Sequence, residues 1–430
     1  MASSCCGKGR APVVVPLLAL LAVSCALSVS ASGGAGGNGT RTAEFRSGDE
    51  LRAYRTILAR MVRMNKASVK TIQSSDGDVI HCVPAHLQPA FDHPKLRGQK
   101  PEAEPVDRPK IVVSHDAAGE AEEGDAEFPQ AWSDGGESCP GGTVPIRRTT
   151  ESDLRRHSGS LRRYGHEAPR RRRPARLHQR RPRARGGVRD RRPVLRRQGE
   201  PQRVAGQGGL AAEFSLSQIW VISGTFGNDL NTIEAGWQVS PQLYGDNSPR
   251  FFTYWTSDAY QATGCYNLHC SGFVQTNRRI AIGAAISPAS AYNGRQFDIS
   301  LLIWKDPRRG HWWLQLGSGP AGGVLAVVPL LPPRRPRQHG AVRRRGGEHA
   351  PAGSHTPTQM GSGHFPREGF NRAAYFRNVQ VVDWDNNLLP ARDLRLVADH
   401  PACYGIQGGY NRAWGDYFYY GGPGRNVHCP

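Results

Sequence analysis

The chain has 430 residues, 21% of them charged, and a formal net charge of +20. That length is sufficient for two or three domains. Two stretches hold nearly all of the excess charge: residues 151–205 contain 19 Arg against 5 acidic residues, and residues 319–351 contain 6 against 1. The remainder is close to neutral, which excludes a protein that is basic along its whole length.

The first residues have the layout of a secretory signal peptide. Two basic residues, Lys8 and Arg10, precede an apolar run over 11–27, and small residues follow as far as Ala31. The run is too short to predict a membrane span. Residues 1–31 are therefore predicted to direct secretion, and a membrane is not expected among the partners.

Secretion determines how the cysteines are interpreted. Six remain after residue 31, and an even number in an oxidising compartment indicates disulfides. The expected pairs are Cys265 with Cys270, Cys403 with Cys429 and, on weaker grounds, Cys82 with Cys139. The sequence Asn38-Gly39-Thr40 is a glycosylation sequon near the predicted new N-terminus.

The first half of the chain predicts little regular structure. Apolar residues at helical spacing predict one helix over 41–65. Residues 66–96 contain short strand-like pieces split by turn residues. Residues 99–135 are acidic and rich in Gly and Pro, and are predicted to be a linker.

From Ala212 the pattern changes to short runs rich in β-branched and aromatic residues, bounded by Gly, Pro, Asn or Asp. The runs are "EFSLSQIWVISG", "IEAGWQVSP", "RFFTYWTSD", "GFVQTN", "RIAIGAAISP", "FDISLLIWKD", "HWWLQLGSG" and, later, "AAYFRNVQVVDW". Their number and regular turns predict an antiparallel sandwich or barrel.

These runs resemble the neprosin family of secreted plant proteins. The resemblance is carried by the whole of residues 215–277, by "TQMGSGHF" and by the ending "YFYYGGPGRNVHCP". In the first half, "VKTIQSSDGDVIHCVPAHLQPAFDHPKL" resembles that family's activation peptide. The resemblance covers about 65–165, 212–318 and 352–430, and it fails in the two arginine-rich gaps.

The gaps admit three readings. A basic arm for nucleic acid fits poorly with a signal peptide, and a solvated linker is a second reading. The favoured reading is a shifted reading frame over 169–210 and 319–351. One permissible set of codons for residues 191–205, read one nucleotide later, encodes a tyrosine-rich segment with the alternation of a strand. Permissible codons for residues 340–350, read in the same shifted frame, encode a strand-like segment that contains a glutamate. Residues 169–210 and 325–350 are accordingly expected to be irregular.

The resemblance implies a glutamic peptidase that cleaves after proline, with two glutamates facing each other across a β-sandwich. Two close carboxyls divide the roles, because one stays protonated while the other ionises and can act as a base. The first is Glu234 in "NTIEAGWQV", where the small Ala235 and Gly236 would let a substrate approach. Without the resemblance, Glu234 would be taken for a surface carboxylate at a strand edge.

The second glutamate is the difficulty. Glu348 follows two glycines, but its neighbours are not strand-like, and in the shifted frame the glutamate codon lies across Arg345 and Gly346. Glu348 is therefore judged a decoy, and the chain as written is expected to have little activity.

Other candidate sites are weaker. Three aromatic residues are candidates for lining the substrate cleft, although a Trp in a sandwich is more often core: Trp237, Tyr254 and Trp255. No metal is expected, since the spacing of His81, Cys82, His86 and His93 matches no zinc pattern. The serine of "GSGHF" lacks a strand–elbow–helix context.

The predicted fold class is all-β: an antiparallel β-sandwich catalytic domain over 166–430, preceded by a small mixed propeptide over 32–165 whose core is 66–150. The predicted function is a secreted, acid-activated glutamic endopeptidase of the apoplast or cell wall. It would act as a monomer on proline-rich protein, without a cofactor or nucleic acid. The alternative is an inactive member that binds cell-wall glycan or protein.

Overall fold

The structure is a computed structural model. It describes residues 48–94, 96–102, 104–111, 130–156, 187–190, 194–195, 213–224, 230–261, 263–317, 323–327, 338–346, 355–391 and 394–430. The predicted signal peptide, Asn38 and Glu348 lie outside these residues. Within them, no helix is both long enough and apolar enough to cross a membrane.

Residues 51–156, here called the N-terminal segment, contain most of one long helix and a three-stranded sheet. The helix is α1 (Gly48–Met64), which the periodicity over 41–65 predicts. Acidic residues in its first turn and Arg63 in its last complement the helix dipole. The strands are β1 (Lys70–Gln73), β2 (Val79–Pro84), β3 (Lys110–Ile111) and β4 (Thr143–Arg147), of which β1, β2 and β4 form the antiparallel sheet in the order β1-β2-β4.

Residues 187–430, here called the sandwich, contain the remaining strands. They are β5 (Gly187–Asp190), β6 (Val194–Leu195), β7 (Ser215–Ser223), β8 (Asn231–Val239), β9 (Arg250–Thr256), β10 (Cys265–Tyr266), β11 (Phe273–Gln275), β12 (Phe297–Asp298), β13 (Leu301–Lys305), β14 (Trp312–Leu316), β15 (Gly323–Val327), β16 (Gln338–Gly346), β17 (Ala374–Phe376), β18 (Val379–Val382), β19 (Asn387–Pro390), β20 (Gly405–Asn411) and β21 (Gly415–Gly421), with a short helix, α2 (Pro241–Tyr244).

Two sheets form the body of the sandwich. One has five strands in the order β10-β9-β8-β7-β16, and the other has eight in the order β11-β15-β14-β13-β5-β18-β19-β3. Among the described strands, all pairings are antiparallel except that of β3 with β19. The core between them joins Ile219, Ile233 and Phe251 of the first sheet to Ile303 and Leu314 of the second, all at most 1% exposed. The all-β antiparallel prediction is confirmed.

Three of the predicted strands differ in the structure. The run "FDISLLIWKD" is divided into β12 and β13, which belong to different sheets. The run "RIAIGAAISP" is not a strand, because Gly283 has a left-handed φ of 89° and the side chain of Gln130 takes the main-chain hydrogen bonds of Ala281. The run "AAYFRNVQVVDW" is divided into β17 and β18, because Asn378 has a φ of 53°.

The linker predicted over 99–135 is wrong in two places. Lys110–Ile111 forms β3 in the large sheet, and Trp132 is only 2% exposed in a core that also contains Ala281 and Ala284. The composition of residues 99–135 predicts a solvent-exposed segment. The buried side chains of Trp132 and Gln130 instead hold this part of the chain against the sandwich.

The prediction that 169–210 and 325–350 are irregular is wrong for β5, β6, β15 and β16. The backbone of β5 occupies the place between β13 and β18, and β16 pairs with the free edge of β7 along nine residues. A backbone can pair through its own N–H and C=O groups, and an unpaired sheet edge favours such pairing. Apart from Arg189, the arginines of 169–198 lie outside the described residues.

Three disulfides link the chain: Cys82–Cys139, Cys265–Cys270 and Cys403–Cys429. They are the pairs that the sequence led us to expect. The first lies wholly in the N-terminal segment and the other two in the sandwich, so no disulfide among these six cysteines joins the two parts of the chain.

Candidate active site

Glu234 lies in the middle of β8, near the centre of the five-stranded sheet. Its register partners are Trp220 on β7 and Tyr254 on β9. Alternate residues of a strand point to opposite faces, and Ile233 and Ala235 point into the core between the sheets. Glu234 therefore lies on the outer face of this sheet, where it is partly buried.

Two small apolar clusters flank Glu234 on this face. One contains Trp220, Ile222 and Leu230, with Tyr260 packed against them. The other contains Phe214, Leu216 and Phe252, with Tyr254 and Tyr266 packed against them. A carboxyl between apolar surfaces is poorly solvated, which is the condition under which a carboxyl can be tuned for acid–base chemistry.

Two hydroxyl groups donate hydrogen bonds to the same oxygen of Glu234. Thr232 Oγ1 is 3.1 Å from Oε1, and Tyr260 Oη is 3.0 Å from it. Thr232 lies two residues before Glu234 and so shares its face, a relation that strand alternation alone could have revealed. The two bonds fix the orientation of the carboxylate and favour its ionised form.

Tyr260 reaches Glu234 because the loop after β9 turns back over the sheet. Asp258 organises this loop: its carboxylate accepts hydrogen bonds from the hydroxyls of Thr256 and Thr263 and from the backbone N–H groups of Gln261 and Thr263. Tyr260 itself has a φ of 65°, a left-handed conformation that is uncommon for a bulky residue. No sequence pattern indicated this placement, because it depends on an irregular loop.

The tyrosines beside Glu234 stay protonated. Burial raises the pKa of Tyr260, and the negative charge of Glu234 raises it further. Burial likewise raises the pKa of Tyr254, followed by the charges of Glu234 and Asp258. Both phenols are therefore hydrogen-bond donors rather than bases over the whole range in which a carboxyl titrates.

The expected aromatic cleft is formed only in part. Tyr254 is on the face of Glu234, with its ring centroid 5.8 Å from that of Tyr260. Trp237 and Trp255 point the other way and belong to the core, at 3% and 6% exposure. The prediction that these two Trp line the cleft is wrong. Successive side chains of a strand point to opposite faces. Trp237 is three residues from Glu234 and Trp255 is adjacent to Tyr254, so both point away from the face of Glu234.

The small residues beside Glu234 have a structural role. Ala235 is fully buried in the core. A Cβ at Gly236 would overlap the backbone carbonyl oxygen of Ser217 on β7. The glycine thus allows a close approach of two strands, and it does not open a path for a substrate.

A second carboxyl near Glu234 is needed for a carboxyl pair. Asp258 is close enough for its charge to raise the pKa of Tyr254, but its oxygens already accept four hydrogen bonds within its own loop. It is therefore a structural group. Glu348 lies outside the described residues, and the backbone of position 345 pairs with Leu216, which pairs with Gln238.

A disulfide occupies the cysteine among the candidate metal ligands. Cys82 is bonded to Cys139 and so offers no thiolate. Among the described residues, His355, Cys403 and Cys429 have ligand atoms within 4.8 Å of one another. Cys403 and Cys429 form a disulfide, so neither offers a thiolate to a metal ion.

Comparison with known families gives two matches. Residues 211–423 match the family model described as Neprosin. Residues 71–188 match the model described as Neprosin activation peptide. The first match contains Glu234, Tyr254 and Tyr260, and the second contains most of the N-terminal segment.

Proposed function

Because the chain belongs to the neprosin family and carries that family's activation peptide ahead of the catalytic domain, we propose that it is the proenzyme of a secreted glutamic endopeptidase that cleaves after proline. The family assignment supports a peptidase made as a proenzyme. Glutamic chemistry, proline preference, acid activation and an apoplast or cell-wall location are parts of the proposal.

The observation that carries the proposal is the setting of Glu234. It is a partly buried carboxyl on the outer face of the five-stranded sheet, oriented by two hydroxyl donors to one oxygen. A carboxylate held in this way would take a proton from an attacking water. The neutral phenols of Tyr254 and Tyr260 are placed to donate to an oxygen that becomes negative as the peptide carbonyl is attacked.

The mechanism requires a second carboxyl in the opposite protonation state. One carboxyl acts as the base on water while the other protonates the leaving amine, and proton exchange with solvent then restores both groups. In our proposal this partner is supplied by the strand that the shifted frame encodes, where the glutamate codon lies across Arg345 and Gly346. The chain as written lacks that residue.

The substrate is proposed to be a protein or peptide rich in proline. Tyr254 and Tyr260 present neighbouring rings on the face of Glu234, at a centroid distance of 5.8 Å. A proline ring has no N–H to satisfy and packs well on an aromatic surface. These two rings would hold the residue before the cleaved bond.

The proposal is tested on the restored chain, in which both arginine-rich segments are translated one nucleotide later. Incubated in acid with a peptide containing several separated prolines, it should release fragments that end in proline, as identified by mass spectrometry. A matched peptide with alanine in place of each proline should remain intact. Equal cleavage of both peptides would contradict the specificity, and cleavage of neither would contradict the activity.

Tyr260→Phe should reduce cleavage by the restored chain about 10- to 100-fold, since a hydrogen bond to a charged group contributes about 1.5–3 kcal/mol. The loss is expected because this bond orients the carboxylate of Glu234. Tyr292→Phe is the matched control, because it also removes a tyrosine-to-glutamate hydrogen bond, to Glu368 at 3.2 Å. Equal rates for the two variants would show that the Tyr260 hydroxyl has no role.

A further inference from the structure

The three-stranded sheet of β17, β21 and β20 carries aromatic side chains on both of its faces. Phe418 and Tyr420 of β21 point inward, into a buried core cluster. Because successive side chains of a strand point to opposite faces, Tyr417 and Tyr419 lie on the outer side of the sheet. Tyr375 pairs in register with Tyr419 and therefore shares that outer side.

Two further rings pack on this outer side. Trp414, in the turn between β20 and β21, stacks on Tyr375 at a centroid distance of 4.6 Å. Phe370 and Tyr417 each meet the Trp414 ring edge-on, at 5.4 Å. The ring of Tyr417 is in turn 5.6 Å from that of Tyr419. The five rings form one continuous cluster, here called the aromatic face.

The backbone holds the aromatic face in one arrangement. The N–H of Trp414 donates to Asn411 Oδ1 at 2.7 Å, and the carbonyl oxygen of Trp414 accepts from the N–H of Asn378 at 2.6 Å. A Cβ at Gly409 would overlap the phenol of Tyr417, so this glycine lets the ring lie against β20. A surface that is organised before binding loses little entropy when a partner binds.

Part of the aromatic face is open to solvent. Phe370 is 50% exposed, whereas its neighbour Tyr375 is 2% exposed. Trp414, Tyr417 and Tyr419 are partly exposed. A single exposed ring needs no explanation, but a contiguous exposed apolar patch marks an interaction site on a protein surface. The aromatic face is therefore a candidate binding surface.

The charge of the aromatic face fits an uncharged partner. Asp416 is the only charged residue within β17, β20 and β21, in a chain whose formal net charge is +20. The guanidinium of Arg377 lies 5.5 Å from the Trp414 ring centroid, but Asp298 accepts hydrogen bonds from it at 2.9 and 2.5 Å and compensates its charge. These strands offer no row of positive charges to an acidic polysaccharide or a nucleic acid.

The angles between the rings favour a proline-rich segment over a sugar. Trp414 is inclined by 75° to Phe370 and by 85° to Tyr417, and Tyr417 is inclined by 75° to Tyr419. Rings set at steep angles form ridges with grooves between them, and aromatic-lined grooves are the sites that bind polyproline II segments. A pyranose ring, by contrast, stacks through its broad face and needs a flat platform.

A polyproline II helix also offers acceptors to the polar atoms of the aromatic face. The helix has no internal hydrogen bonds, so its carbonyl oxygens are open to donors. The indole N–H of Trp414 and the hydroxyls of Tyr417 and Tyr419 are such donors. Three residues of the helix span about 9 Å, whereas neighbouring centroids from Phe370 through Trp414 and Tyr417 to Tyr419 are 5.4 to 5.6 Å apart. Successive turns of the helix can therefore contact different rings.

We propose that the aromatic face is a second binding site, which holds a polyproline II segment of a proline-rich chain away from Glu234. Glu234 lies on the five-stranded sheet, whereas the aromatic face belongs to the sheet of β17, β21 and β20. The inference deepens the proposed function and rests on it only in taking proline-rich protein as the substrate. Retention of one part of a long chain raises the effective concentration of its other prolines at the enzyme.

The test measures binding of a fluorescently labelled oligoproline peptide to the chain as written, by fluorescence anisotropy. We expect saturable binding that Phe370→Ala weakens at least about tenfold and Trp414→Ala still more, because aromatic anchors near the centre of an interface have the largest effects on truncation. Phe370 is half exposed, so its truncation retains a test if Trp414→Ala does not fold.

Two variants serve as controls. Trp384→Ala removes a Trp that is 58% exposed in the turn between β18 and β19. It lies outside the aromatic face, and the variant should change the dissociation constant by less than about twofold. Tyr254→Ala alters the ring beside Glu234 and should have an equally small effect. A loss for Tyr254→Ala as large as that for Phe370→Ala would place the peptide at the candidate active site and overturn the inference.

Two other outcomes would also overturn it: no binding of the oligoproline peptide, or a preference of the same face for cellohexaose or oligogalacturonate that Phe370→Ala removes. Because binding is measured without catalysis, it is independent of the proposed activity. Binding through the aromatic face, together with a restored chain that cleaves no peptide, would contradict the proposed function and leave the second site supported. Cleavage without such binding would do the reverse.

Discussion

The chain as written is expected to cleave a proline-rich peptide at least about a thousandfold more slowly than the restored chain. Glu234 is present in both, but the written chain lacks the second carboxyl that would stay protonated while Glu234 is ionised. Removing one member of a cooperating catalytic pair typically costs several orders of magnitude in rate. The measurement is a side-by-side assay of kcat/KM at low pH.

Glu234→Gln in the restored chain should bring the rate down to that of the written chain. The amide keeps the shape of the side chain and can still accept from Thr232 and Tyr260, but it cannot take a proton from water. A written chain as fast as the restored one would mean that Glu348 or another residue is the true partner. Asp258→Asn, which removes the charge of the loop carboxylate, tests Asp258 as an alternative partner.

Equal rates for the written and the restored chains would also bear on the hypothesis that the arginine-rich segments are out of frame. Their backbones form β5 and β16, and therefore both sheets contain strands from them. The expected defect of the written chain is thus the missing carboxyl rather than an open sheet. A written chain without activity that binds cell-wall glycan would favour the inactive, binding member of the family.

Trp255→Ala should destabilise the sandwich by about 3–5 kcal/mol, the usual cost of truncating a buried Trp. The ring is 6% exposed in the core between the two sheets, and a Cβ at Gly272 would overlap its indole nitrogen. The measurement is the midpoint of urea denaturation followed by circular dichroism. The variant would lose activity only in so far as it unfolds.

Tyr254→Ala is the matched comparison, because it alters the neighbouring aromatic residue on the opposite face. Tyr254 is partly exposed beside Glu234, so its truncation should cost less stability and should impair cleavage in chains that remain folded. If Trp255→Ala were well folded and inactive while Tyr254→Ala were active, the two assignments would have to be exchanged.

Local pattern was sufficient for much of the fold. The β-branched and aromatic content of "SLSQIWVIS", "NTIEAGWQV" and "RFFTYWT", bounded by turn residues, predicts β7, β8 and β9. Successive side chains of a strand point to opposite faces, so the separation of Trp237 from Glu234 and of Trp255 from Tyr254 could have been derived from their positions in the sequence.

Tertiary structure decided the rest, because the relevant contacts join residues far apart in the chain or depend on irregular backbone. Tyr260 reaches Glu234 only through a loop with left-handed residues, and Arg250 meets Asp78 across 172 residues. Composition pointed to a linker where Trp132 is buried. Periodicity records which side of an element is apolar, but it carries no information on which distant group will cover that side.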